Sequence, residues 1–416
     1  MIDSIKDLFR RYQVLIYNFS YLSALQLFSI ILPLLTYPYL IRVLGSEKYG
    51  MIVFAQAVVG YLLVIVSFGF KITGTKEVSL YRDDRDKLNE ILSSIFIIKG
   101  VLIFIAFLLL TIIIHVVPEA SNNKVLFYLS MWICFYDFIF PVFYFQGIEK
   151  MKYITIITMI SRMLFLLLIF LLIKDENDYL KVPLINGIGA LLSGGISIII
   201  LYKHGFKFKL QKYAVLKTYL LKSYTMALAF FSNTFKVNLN VIVVKMLFSY
   251  TEVAYFDLAL KIVNICNTFL DLISQTIFPK MSLEKNAKFL RKVIKLSLII
   301  SVVAIVFLQI FSDKIIIILG GLSMLPAIEV LRVLAFFIPI YILGALLGRN
   351  CLIVYGFDRY VLISMLLSGS LYSLTLLFIN AFNYNISILW LCFLFLFSFA
   401  VETFYRYYIC RIKNLL

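Results

Sequence analysis

The sequence predicts an all-α membrane protein: twelve transmembrane helices in two six-helix bundles, a parallel pseudo-repeat, around a central polar cavity. Three observations predict it. Of 416 residues, 62% are hydrophobic and only 15% charged, with a mean hydropathy of +0.99; a soluble domain is nearer half apolar and a quarter charged. The apolar residues fall into runs of about 20, the length needed to cross about 30 Å of hydrocarbon. Lys and Arg collect in alternate loops, as they do when those loops face the cytoplasm.

The runs lie near 16–37, 50–70, 91–114, 125–145, 153–173, 183–202, 223–244, 255–278, 294–311, 333–348, 360–380 and 386–408. Ahead of the first, MIDSIKDLFRRYQ is charged and precedes a run too long for the core of a cleavable signal. Its Ile2, Ile5, Leu8, Phe9 and Tyr12 fall on one helical face, the pattern of a short helix lying on the cytoplasmic surface. With the N-terminus inside, and with Lys295 and Arg406 at the cytoplasmic ends of their spans counted to that side, cytoplasmic segments hold 27 of the 39 Lys and Arg, outer loops hold 8, and four lie deeper inside spans. That partition puts both termini in the cytoplasm. It also accounts for most of the net charge of +17 without nucleic acid; the partner of the basic loops is anionic lipid.

The chain divides near residue 213, in the basic stretch KHGFKFKLQKYAVLKTYLLK, into halves 1–213 and 214–416 of six spans each. An even number gives both halves the same orientation, which permits a repeat about an axis along the membrane normal. RVLGSEKYGMIVFAQAV (42–58) and LFSYTEVAYFDLALKIV (247–263) align at a constant offset of 205, matching Glu47 with Glu252 and Gln56 with Lys261.

Four cations interrupt the spans: Lys99, Arg162, Lys236 and Lys261, in the third, fifth, seventh and eighth. Facing lipid, the four together would cost about 10–14 kcal/mol on the insertion scale, which rivals the whole stability of a domain. Lys99 lies eight residues beyond Ile91, about 12 Å deep, and snorkelling recovers only part of that depth. The cations are therefore expected to face acids, water or a common lumen.

Polar residues recur with helical spacing around them. In DLALKIVNICNTFLDLISQ (257–275), Asp257, Lys261, Asn264, Thr268, Asp271 and Gln275 follow steps of 4, 3, 4, 3 and 4, which places all six on one side of a helix. Asn233, Lys236 and Asn240 share a face of the seventh span, Thr155, Thr158 and Arg162 one of the fifth, and Ser130, Cys134, Asp137, Pro141 and Tyr144 one of the fourth. A packed bundle glued by polar groups would explain the Ser and Thr stripes. It leaves the cations short of acids: Asp257 can pair with Lys261 at i, i+4 and Asp137 with Arg162 or Lys99, yet at least one cation remains over. Gly344 and Gly348 read as a small-residue packing contact.

The candidate binding residues are Lys99, Arg162, Lys236, Lys261, Asn233 and Asn264. Asp137, Asp257 and Asp271 are candidates for a proton- or sodium-coupled step. A cation-rich cavity suits an anion, or a large polar solute carrying an anionic group. The five cysteines contain no C-x-x-C and the two histidines lie far apart, so neither a metal site nor a cofactor is expected. There is no phosphate-binding G-x-x-x-x-G-K-[ST] and no Ser/His/Asp set or H-E-x-x-H, which points to a secondary transporter rather than an enzyme.

LPLLTYPYLIRVLGSEKYGMIVFAQAVVGYLLVIVSFGF (32–70), through Thr36, Pro38, Leu40, Arg42, Leu44, Gly45, Tyr49, Gly50 and Gly69, resembles the start of O-antigen and polysaccharide flippases. These are the Wzx group of the multidrug/oligosaccharidyl-lipid/polysaccharide (MOP) superfamily. TEVAYFDLALKI (251–262), followed by IFPKMS (277–282), resembles that family's second half, with Ala254-Tyr255 where a glycine is more usual. The resemblance implies a flippase of the bacterial inner membrane that moves undecaprenyl-diphosphate-linked oligosaccharide to the outer leaflet by alternating access. O-antigen or another surface polysaccharide would be the product, with assembly proteins as partners. Two rivals stand beside it. A multidrug or cation exporter of the same superfamily would prefer an acid-dominated cavity. A membrane-embedded polymerase, ligase or acyltransferase would want a long basic outer loop or a buried histidine.

Overall fold

The computed structural model describes the backbone of residues 2–381 and 386–416, and their side chains except at 2–16, 19, 22, 229–230, 232–237, 279, 380 and 381. The amphipathic face at Ile2–Tyr12 therefore lies outside the described side chains. Among the described residues every regular element is helical. In chain order they are α1 (Ile2–Ser67), α2 (Phe70–Leu80), α3 (Arg85–Val116), α4 (Pro118–Ser121), α5 (Lys124–Ser130), α6 (Trp132–Ile139), α7 (Val142–Gly147), α8 (Met151–Leu172), α9 (Lys181–Lys203), α10 (Tyr213–Leu247), α11 (Tyr250–Glu284), α12 (Ala287–Gly320), α13 (Ala327–Leu334), α14 (Phe337–Ala345), α15 (Asp358–Ala381) and α16 (Ile388–Ile412). Nine helical runs among the described residues are long and apolar enough to cross a membrane; one, Ser23–Leu80, is 58 residues long.

The interruptions follow from local chemistry. α1 is two helices broken at Gly45, where φ is +74°, a region glycine enters without steric cost. The fourth apolar run breaks into α5, α6 and α7; Pro141, lacking an N–H, sits in the second gap. The tenth run does not stop at residue 348. α14 continues as a π-helical turn, Leu346–Ile353, and the chain leaves it through Gly356 at φ +80°.

The chain forms two compact units. Unit 1 is Met1–Leu44 with Ala55–Thr234; unit 2 is Gly45–Phe54 with Phe235–Leu416. In unit 1 a core of Phe70, Val78, Ile91, Ile95, Phe145 and Ile157 joins α2, α3, α7 and α8. The basic stretch after α9 docks on this core. The Lys207 and Lys209 N–H groups donate to Asn89 Oδ1 and Ser93 Oγ, both at 3.0 Å. Lys222 reaches both oxygens of Glu77 at 2.9 and 3.0 Å, and Tyr219 donates to Glu90 at 3.1 Å. These bonds tie the first turns of α10 to α2 and α3.

In unit 2, α11 is flanked by α12, α13 and α14. The short segment Gly45–Phe54 also packs on it, and closely: a Cβ at Gly50 would lie 1.8 Å from the Tyr250 carbonyl oxygen. Phe54 meets the Tyr250 ring edge-on at 5.9 Å. Met281, Leu290, Leu347, Cys351 and Cys410 form a second core where α11, α12, the π turn and α16 meet.

Candidate functional site

In unit 1, α3 and α6 bring Lys99 and Asp137 together. The ammonium donates to the Asp137 carboxylate at 2.6 Å and to its carbonyl oxygen at 2.8 Å. Of the two acceptable partners for Asp137, the fold selects Lys99. The lysine side chain is 5% exposed, the aspartate 30%. Arg162, on α8, is half-buried and donates to Ser29 Oγ on α1 at 2.5 Å. Among the described residues no acid ion-pairs with it.

In unit 2, α11 presents its polar stripe on its open side. None of Asp257, Lys261, Asn264, Thr268, Asp271 and Gln275 is fully buried, whereas Val253, Phe256, Ala259, Val263 and Leu270 are. Lys261 reaches Asp257 at 2.5 Å, as the i, i+4 spacing anticipates. Tyr49, from the segment after Gly45, closes the group: its hydroxyl donates to Asp257 at 2.7 Å and accepts from Lys261 at 2.7 Å. Asn264 is exposed and accepts weakly from Asn267 at 3.4 Å. Asn233 and Lys236 lie outside the described side chains.

Two turns beyond Asn264 on α11, Asp271 meets residues that the sequence reading missed. Arg349 donates to Asp271 at 2.9 Å and to Ser274 at 3.4 Å. Gln275 holds the other Asp271 oxygen at 2.8 Å. Asn350 donates to the Ser274 hydroxyl and carbonyl at 2.8 and 3.1 Å, and its own carbonyl oxygen is buried without a partner. Hydropathy ends the tenth span at the first cation, so Arg349 reads as loop. The π turn carries the helix past that point and places Arg349 and Asn350 side by side against α11. The available signal is the stretch CLIVY (351–355), which turns apolar again directly after Arg349 and Asn350 where a loop would stay polar.

A fourth pair provides the contrast. On α16, Arg406 pairs with Glu402 and also donates to Ser364 Oγ at 2.9 Å and the Gly344 carbonyl at 2.8 Å. Glu402 accepts from Ser368 at 2.9 Å. Both side chains are only 7% exposed. Gly344 and Gly348 make the room: a Cβ at Gly348 would lie 3.1 Å from the guanidinium. The small-residue spacing thus seats an arginine as well as packing helices. The other three pairs each keep one partner open: Asp137 at 30%, Lys261 at 27% and Arg349 at 36%. An open pair can trade its partner for water or an incoming anion without stranding a buried charge; a sealed pair cannot. The pairs therefore sort into three that are open on one side and one that is sealed.

A family model described as polysaccharide biosynthesis protein matches residues 15–283. The chain belongs to this family. The chain is 30% identical over 269 residues to a protein of Escherichia coli (strain K12) named "Putative O-antigen transporter", 64% of each chain. It is 28% identical over 258 residues to a protein of Shigella dysenteriae with the same name, covering 60% of this chain and 63% of that one. The matched region thus spans just under two thirds of the curated relatives' length. Among solved structures, the lipid II flippase MurJ in an inward closed conformation superposes with a TM-score of 0.72 at 16% identity, over 94% of this chain and 88% of that one. An inward-facing multidrug resistance MATE family transporter of the MOP superfamily gives 0.66 at 13% identity, over 93% and 98%. These likenesses show that the chain shares the fold of these two transporters.

Proposed function

We propose that this protein is a secondary transporter that flips undecaprenyl-diphosphate-linked oligosaccharide from the cytoplasmic to the outer leaflet of the bacterial inner membrane. The observation that carries the reading is the presence, in each unit, of half-open ion pairs on apolar helices: Lys99–Asp137 in one, Asp257–Lys261 and Asp271–Arg349 in the other. Buried sugar hydroxyls without partners cost several kcal/mol each, so an oligosaccharide needs a hydrated, polar path. Cations along that path take the diphosphate, and the lipid tail stays in the bilayer. Family membership and relatives named as O-antigen transporters support this cargo.

The membrane arrangement proposed is twelve crossings in two bundles, built on the halves 1–213 and 214–416, around a central polar cavity, with both termini cytoplasmic. As a straight helix the 58-residue run Ser23–Leu80 would measure about 87 Å, so its break at Gly45 makes two crossings of it. α10 and α11, at 35 residues each, supply the remaining two. Lys99, Arg162, Lys236 and Lys261, with Asn233 and Asn264, bind the anionic cargo; Arg349 joins them. Asp137, Asp257 and Asp271 carry the coupling step, a proton or sodium ion exchanging with the cation each carboxylate holds. Rocking of the two bundles completes alternating access.

The test is reconstitution in liposomes with labelled undecaprenyl-diphosphate glycan, read by loss of label protection, alongside mass spectrometry of co-purifying lipid. Charge reversal at Arg162 or Lys261 should abolish flipping, and Asp→Asn should remove its dependence on an imposed gradient. Intact flipping by the reversed variants at unchanged protein levels would rule the cationic path out. The likeness to a multidrug transporter favours one second reading, a drug exporter. Restored drug resistance in a sensitised host, without glycan flipping, would select it.

A further inference from the structure

Unit 2 carries a groove of about 520 Å3 between α12, α14 and α16, apart from the ion pairs described above. Three helices line it, each with residues at helical spacing. Arg291 and Leu298 lie two turns apart on α12, Leu343 lies on α14, and Phe404, Tyr407 and Arg411 follow one face of α16. The groove is apolar along its length and cationic at one end. Arg291 lies in the second turn of α12 and Arg411 in the last turn of α16; their neighbours Leu290 and Cys410 share one core cluster, so both guanidiniums sit at the same end. From there the apolar lining runs back along α16 to Ala400, about 16 Å of helix. Phe404, Tyr407 and both arginines are exposed, so the groove opens sideways, toward whatever surrounds these helices.

We infer that this groove holds one acyl chain of an anionic phospholipid, with the lipid phosphate on Arg291 and Arg411. Charge complementarity selects the occupant. Among the described residues neither arginine ion-pairs with a carboxylate; Arg411 donates Nε–H to the Tyr407 hydroxyl at 2.9 Å and stacks on that ring, which leaves the other guanidinium N–H groups for a phosphate. Guanidinium suits this role because its donors match two phosphate oxygens at once. Lys288, Lys292 and Lys295 follow on the same stretch of α12 and add to the local positive potential, the pattern of basic pockets between membrane helices that bind anionic headgroups. A zwitterionic lipid would bring its own cation against this cluster and bind less well.

Native mass spectrometry of the full chain in detergent, titrated separately with phosphatidylglycerol and phosphatidylethanolamine, tests the inference. Phosphatidylglycerol should bind as one tight adduct and phosphatidylethanolamine should not. Arg291→Gln with Arg411→Gln should weaken phosphatidylglycerol about thirtyfold, roughly fivefold for each guanidinium; the Lys pair at the same positions should restore most of it. Ala400→Phe should block the adduct by filling the groove while both arginines stay in place. Should that variant misfold, Leu343→Phe fills the opposite wall. Equal binding of the two lipids, or unchanged phosphatidylglycerol binding by the Gln pair, overturns the inference. So does displacement of the adduct by equimolar undecaprenyl phosphate, which would make the groove a seat for a polyprenyl tail.

Discussion

Removing either member of the Glu402–Arg406 pair should cost far more stability than removing either member of the open pairs. Arg406→Met leaves Glu402 in a site 7% exposed without its guanidinium, with the Ser368 hydroxyl still donating to it. Glu402→Leu leaves the Arg406 guanidinium with only Ser364 and the Gly344 carbonyl. Each uncompensated buried charge costs about 3–5 kcal/mol. At about 2–4 °C per kcal/mol for a unit of this size, the thermal midpoint should fall by roughly 6–20 °C. The double variant Glu402→Leu/Arg406→Met strands no charge. It should recover most of the loss, because apolar replacement of a whole buried pair is often neutral or better. The assay is the temperature at which half the detergent-solubilised protein stays monodisperse, measured for the two singles and the double as a cycle. Export should survive in the double, since both side chains are sealed away at 7% exposure. Additive losses, with the double worse than either single, would refute the pair as a coupled structural unit. Losses below about 1 kcal/mol in the singles would refute its being sealed.

Asp271→Asn and Arg349→Gln should behave oppositely: with Arg349 at 36% exposure, stability should change by about 1 kcal/mol or less, while glycan export falls to background, read as surface polysaccharide in a complemented deletion strain. Gly50→Ala should fail to accumulate, since its Cβ would overlap the Tyr250 carbonyl at about 3 kcal/mol or more. Gly45→Ala has open space around it but lies at φ +74°, ψ 163°, a region essentially reserved for glycine, and should cost about 1–3 kcal/mol; western blots of membrane fractions compare the two. His204, which caps α9 beside Tyr144, has its pKa held below the ordinary 6.5 by burial first and by Lys150 second. Between that depressed value and 6.5 the unfolded chain binds the extra proton, so stability should decline as pH drops through this window and level off below it. Replacing His204 with Gln should flatten the midpoint-versus-pH curve there.

The polar stripe of α11 is legible because its steps of 4 and 3 survive in an otherwise apolar run, and the Asp257–Lys261 pair is legible because both ends lie on one helix. The Lys99–Asp137 pair is only half legible. Its two members are 38 residues apart, and choosing between Lys99 and Arg162 requires knowing how α3 and α8 approach α6. Tyr49 has no polar periodicity to announce it; it reaches Asp257 because Gly45 breaks α1 and Gly50 lets the following segment touch Tyr250. Arg349 is missed for a different reason, since a hydropathy window closes at a cation whether or not the helix does.

Glu402–Arg406 and Asp257–Lys261 make the strongest case for what a chain's own code leaves out. Both are acid-then-cation at i, i+4 on an apolar helix, a spacing that stabilises an isolated helix alike in either place. One is sealed at 7% on both sides; the other leaves its lysine 27% open. The difference comes from the neighbours. Around Arg406, two glycines on α14 and the π turn bring a backbone carbonyl within reach and two serines on α15 close the remaining sides. Around Lys261 a tyrosine hydroxyl comes in from outside the helix, and the lysine side chain stays 27% open. Whether a charge in an apolar helix is sealed or left open is therefore decided by how closely the neighbouring elements enclose it. An acid and a base spaced by four residues mark where to look, and the packing around the pair, set by residues far away in the chain, decides which of the two it becomes.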